Sequence, residues 1–189
     1  MDEVDVWWWW ETAVGCTQLI TALPARRMGQ ITTTRVKMDQ RTFQLLQTAD
    51  DLDHYEYPPG FDWNVAFERV EALRPILERV VGHSLVVDKN VQDASFFTDL
   101  SWEAPSREDP RYIHTIVAVR FSSFGDLFTV WNHCSSDIRL SEVIVQQIVA
   151  TVEGNGFIYI SIDELGKPYT GTNQAFIGRS WWYRFFDYL

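Results

Sequence analysis

His133 and Cys134 are neighbours in the chain, and a thiolate beside an imidazole is the pairing that activates a cysteine nucleophile. They fall at the end of a predicted strand, where adjacent residues point to opposite faces, so the pattern predicts a separate ring and thiol. His54, His83 and His114 lie in three different predicted elements, which predicts solvated or capping histidines and no common metal. Asp163 and Glu164 offer two carboxylates, but acid–base work needs a set separation across a cleft. Their adjacency beside a turn predicts solvent-facing side chains. Gly154-Asn155-Gly156 follows a predicted helix and precedes a predicted strand, the reverse of the order that lays phosphate on a helix N-terminus, and is read as a helix stop. A nucleophile elbow, a glycine-rich phosphate loop and zinc-ligand spacing are all missing from the sequence. No catalytic residue, metal or cofactor is therefore expected. Enzyme activity would need a pocket where scattered His, Cys, Asp and Glu converge.

Charge points to a different kind of function. Of the net −10, nearly all comes from residues 39–109, which hold 15 acids against 6 bases, whereas residues 110–189 hold 7 against 6. Such a field repels nucleic acid and anionic lipid and speeds association with a basic protein. Asp50, Asp51, Asp53 and Glu56 lead into Tyr57-Pro58-Pro59-Gly60, an acidic loop with turn chemistry. We read this loop as facing a basic partner, with Trp182 and Arg184 from the aromatic run at 181–189 supplying the desolvated centre of the interface. The competing reading gives the acids to solubility and the aromatic run to core packing.

These groups need elements to position them. Asp39 to Thr48 suits a short helix with Phe43, Leu45 and Leu46 on its apolar side. Asp62 can cap a longer amphipathic helix carrying Trp63, Phe67, Val70, Leu73, Leu77 and Val80, kinked or restarted at Pro75 and stopped by Gly82. Period two then takes over through residues 85–88, 96–102, 113–121 and 128–132, with a turn at 122–125: an antiparallel meander. Ser141 caps a second helix lined by Ile144, Ile148 and Val152. Residues 157–162 read as a buried strand, 168–171 as a turn, and 180–189 as a strand or docked tail. The expected fold is α+β, a two-layer sandwich with a largely antiparallel sheet and helices on one face.

At 189 residues the chain suits one domain, placed at 28–189. Four consecutive tryptophans at 7–10 have neither helical nor strand periodicity, so residues 1–27 are read as a non-native or disordered extension, with translation beginning at Met28. A tryptophan-rich membrane anchor would need a basic face that this segment lacks. Residues 31–36 read as a weak strand. No apolar run approaches membrane-spanning length, and Cys16 and Cys134 are read as unpaired thiols, so a cytoplasmic, membrane-free protein is expected.

Over its last quarter, the order of Gly154-Asn155-Gly156, the strand at 157–162, Lys167-Pro168-Tyr169-Thr170-Gly171 and Trp181-Trp182-Tyr183-Arg184-Phe185-Phe186-Asp187-Tyr188-Leu189 resembles a group of uncharacterised bacterial proteins. The resemblance implies a bacterial origin and transfers no catalytic residue. In size, acidity and aromatic richness the chain is also similar to immunity proteins that neutralise basic toxins. The expected function is accordingly non-catalytic protein binding, of the kind an acidic inhibitor shows toward a basic partner. A small-molecule enzyme and a structural subunit of an oligomer are the alternatives; oligomeric state is not readable.

Overall fold

The computed structural model describes residues 37–88, 97–106, 109–132 and 140–187, and a compact unit beginning at Met38 takes in all of these but Lys37. The expected start at Met28, the strand at 31–36, the tryptophan tetrad, both cysteines and His133 lie outside the described residues.

Helix α1 spans Gln40–Ala49 and begins where Asp39 accepts a hydrogen bond from the Thr42 N–H at 3.0 Å. Helix α2 spans Trp63–Val81: the Asp62 carboxylate accepts from the N–H groups of Asn64 and Val65, and Gly82 ends it in the left-handed conformation, φ 77°. Of the kink or restart expected at Pro75, the restart does not occur. The helix continues through it because Leu73 and Leu77 are both fully packed, and that burial outweighs one lost backbone hydrogen bond.

The sheet has five strands in sequence order, β1 Val86–Asp88, β2 Phe97–Pro105, β3 Ile113–Ser122, β4 Leu127–Asn132 and β5 Ile158–Tyr159. The first four pair antiparallel, as the meander pattern predicts, with a bulge between Trp102 and Glu103. The strand expected at 157–162 is cut to two residues, because Ser161 caps a new helical turn soon after it, and it runs parallel to β4. The protein is therefore α+β with a mostly antiparallel sheet.

Helix α3, Glu142–Glu153, starts at Ser141 as expected. Of the glycine pair that follows it, only Gly156 takes positive φ, at 87°; Gly154 is right-handed. Alternation along β3 and β4 places Val117, Val119, Phe121, Phe128 and Val130 on the face that meets Leu73 and Leu77 of α2 and Ile148 and Val152 of α3. The two long helices thus share one core with one face of the sheet. A second core joins Leu46 of α1 and Leu127 of β4 to the later chain: short helix α4 Ile162–Leu165, the 3-10 turn Gln174–Phe176 and helix α5 Trp181–Phe185.

The β3–β4 turn brings α1 to the sheet. Gly125 and Asp126 both have positive φ, 63° and 54°, the conformation that matches strand twist in a tight hairpin. A Cβ on Gly125 would lie 2.7 Å from the Cβ of Ala49, with little room for either backbone to yield. Gly125→Ala is therefore expected to cost about 2–4 kcal/mol, from left-handed strain plus overpacking. Gly82→Ala, with equal φ strain and open space around it, should cost only about 1–2 kcal/mol. Urea unfolding of the two variants side by side checks the ranking.

Candidate functional site

The residues expected to form a docking surface divide into an interior pair and an exposed loop. Residues 180–187 are the reason. They do not form a strand: Ser180 caps the five-residue helix α5, so burial follows helical spacing through Trp181, Arg184 and Phe185, not alternation. Arg184 consequently points inward. Its side chain is 0% exposed and the Asp50 side chain that meets it is 1% exposed, so neither is available to a partner.

Arg184 distributes its donors with little waste. Nε donates to Asp50 Oδ1 at 2.7 Å, Nη1 to the Tyr55 carbonyl at 3.1 Å, and Nη2 to the carbonyls of Asp51 and His54 at 3.2 and 3.0 Å. The guanidinium plane is flanked by Phe124 and Phe176, with ring centroids 4.2 and 4.8 Å from Cζ. The second Asp50 oxygen accepts from the Tyr169 hydroxyl and from the Thr172 N–H. Tyr169 in turn accepts from the Asn173 N–H, while Asn173 Nδ2 donates to the Asp51 carbonyl. Burial and the adjacent Asp50 carboxylate push the Tyr169 hydroxyl well above its ordinary range, keeping it a donor. Gly171 is required here, since a Cβ would strike both Asp50 and Tyr169.

The loop that Arg184 holds is otherwise outward-facing. Leu52, Tyr55 and Tyr57 are 56%, 49% and 42% exposed. Asp51 stays nearer the loop backbone. Its Oδ1 meets His54 Nδ1 at 2.9 Å and accepts from the N–H groups of Asp53 and His54, and these hydrogen bonds, His54 first, hold its carboxyl below the usual range. Asp53 is exposed and Glu56 half-buried; neither carboxylate has a partner among the described residues. The Glu56 carbonyl accepts from Ser123 Oγ at 3.0 Å, pinning the far end of the loop to the β3–β4 turn. Trp182 stands apart, half-buried and stacked on Phe186 at 5.7 Å, with the Arg120 guanidinium 5.5 Å from its ring.

Arg120 is the centre of a second interior pair, on the sheet face opposite α2 and α3. It grips Asp99 of the neighbouring strand in a fork, Nε to Oδ1 at 2.8 Å and Nη2 to Oδ2 at 2.7 Å, and Nη1 donates to the Phe186 carbonyl at 2.8 Å. Burial raises the Asp99 carboxyl against the opposing pull of Arg120. The two arginines therefore attach the segment carrying α5 to the rest of the fold, one to the loop after α1 and one to the sheet.

The remaining chemistry-bearing residues stay dispersed. His83 stacks on Trp102 with centroids 3.8 Å apart, and Glu164 is only partly exposed, meeting Lys167 and accepting from the Asp39 N–H. Among the described residues no group of three or more His, Cys, Asp or Glu could hold a metal ion, and no helix is long and apolar enough to cross a membrane. Sequence reasoning missed Tyr169 and Thr172 as the supports of Asp50, Asn173 as the support of Tyr169 and of the Asp51 carbonyl, and Leu52 and Tyr55 as the exposed tips of the loop. Comparison with family models, curated proteins and solved structures returns no match to this chain.

Proposed function

We propose that the chain is a non-catalytic protein-binding domain, and that loop 51–57 is the surface it offers to a basic partner, as an acidic inhibitor would. The observation that carries this reading is the use of Arg184: a fully buried cation fixes the carbonyls of Asp51, His54 and Tyr55 in a loop whose side chains Leu52, Tyr55 and Tyr57 project outward. Ordering a loop costs conformational entropy, and a loop fixed before binding does not lose that entropy at the moment of association. Tyrosine is a typical anchor of such interfaces, and Asp53 and Glu56 beside it supply charge that steers a basic protein. Ile177, exposed and next to the Phe176 ring that meets Tyr55 at 6.2 Å, extends the apolar part.

The test is capture from host lysate at low and high salt, with wild type beside the double variant Asp53→Asn/Tyr55→Ala. Both changes leave the loop carbonyls in place. A partner bound through this loop should be basic and should weaken with salt. Its affinity for the variant should fall about 30-fold or more if Tyr55 is an interface anchor. Equal retention of the same protein by both chains would place the interface elsewhere.

A further inference from the structure

A cleft of about 320 Å3 lies between the start of α2, the turn at 60–62 and the β3–β4 turn. That volume is at the small end of the roughly 300–1,000 Å3 typical of ligand sites, room for one ring and a short chain. Its walls are aromatic: Phe61 and Trp63 from the helix start, Phe121 from β3 and Phe157 before β5. Three charged side chains also line it, Asp62, Arg69 and Asp126.

Those charges are unequal. Arg69 Nη1 donates to Asp126 Oδ1 at 2.6 Å, and its guanidinium covers Phe157 with Cζ 4.5 Å from the ring centroid. One cation is thus already committed to one carboxylate. Asp62 uses Oδ1 for both of its helix-capping hydrogen bonds. The second oxygens of Asp62 and Asp126 have no partner among the described residues, and the cleft carries one negative charge in excess. An anion entering it would meet two carboxylates and an engaged guanidinium, within a chain whose field is itself strongly negative. A cation meets the free carboxylate oxygens of Asp62 and Asp126 beside apolar ring surface.

We propose that this cleft binds a small organic ammonium ion with a flat apolar body, an arylalkylammonium, with the charged end toward the free oxygens of Asp62 and Asp126 and the ring among the aromatic walls. The proposal does not rest on the reading of the loop at 51–57, although that loop adjoins the cleft through Tyr57, stacked on Phe61 at 6.0 Å, and the Glu56 carbonyl, bonded to Ser123.

The test is calorimetric titration of the full chain with 2-phenylethylammonium, beside neutral 2-phenylethanol and anionic 3-phenylpropionate. The ammonium should bind about two- to fivefold more tightly than the alcohol, the factor one favourable exposed charge pair supplies, and the anion should bind more weakly than either. Asp126→Asn keeps the left-handed turn, since asparagine tolerates positive φ as aspartate does, and should weaken the ammonium about two- to fivefold while leaving the alcohol unchanged. Asp62→Asn, which still caps a helix, repeats the comparison should the first variant unfold. No binding of the ammonium at millimolar concentration, equal affinity for ammonium and alcohol, or indifference of the ammonium to both substitutions would each overturn the proposal.

Discussion

Arg184→Met should lower the unfolding free energy by about 3–5 kcal/mol, because it strands the buried Asp50 carboxylate without its counter-charge. Domains of this size are stable by about 5–15 kcal/mol in total, so the variant should unfold at far lower urea than wild type. The carbonyls of Asp51, His54 and Tyr55 lose their donors in the same step. Loop 51–57 should therefore become protease-sensitive before the core does. The double variant Asp50→Ala/Arg184→Met removes the stranded charge and should recover part of the loss, a coupling that urea unfolding of the two single variants and the double variant measures directly. A cost below about 1 kcal/mol for Arg184→Met would be the value of an exposed pair and would contradict the interior position of this one.

Arg120→Met should cost a similar amount at neutral pH, about 3–5 kcal/mol, but with a pH dependence of its own. Burial raises the Asp99 carboxyl in the folded state, and Arg120 opposes that rise. Above the ordinary aspartate range, folded Asp99 holds its proton more strongly than the unfolded chain does, so stability from this group falls as pH rises through that window. Removing Arg120 takes away the opposing charge and widens the window upward. The difference between variant and wild type should consequently be smallest near about pH 4, where a protonated Asp99 is neutral, and should grow toward about pH 7. Urea midpoints for both proteins across that range supply the check. A cost that did not change with pH would show that the carboxylate stays charged without its arginine.

The local elements were legible because each depends on neighbours a few residues away. Asp62 and Ser141 cap the helices they were expected to cap, and the alternation in β3 and β4 identifies the face that packs on α2 and α3. At α5 the strand alternative failed and the docked tail held, because a run of aromatic residues carries neither a clear period of two nor of 3.6. Only the contacts with Phe124, Tyr169 and Phe43 decide that Trp181, Arg184 and Phe185 turn inward together. The docking site was half legible for a related reason. Asp50 and Asp51 are adjacent acids of identical type, yet one is interior and the other is at the loop backbone. What separates them is Arg184, 134 residues away, and no local pattern pairs residues at that distance. An arginine set between Tyr183 and Phe185 does signal a buried cation in need of a carboxylate, but it does not say which one.

That separation also sets a clock. Ribosomes add about 5–20 residues per second, so roughly 7–27 s pass between the synthesis of Asp50 and that of Arg184. Throughout that interval the segment 51–57 exists without the donors that fix its carbonyls, and α1 without the second core that buries Leu46. The nascent chain can build its meander and the helices that cover it well before this closure. Competence to recognise a partner through the loop would arrive late, in one step, when the guanidinium docks.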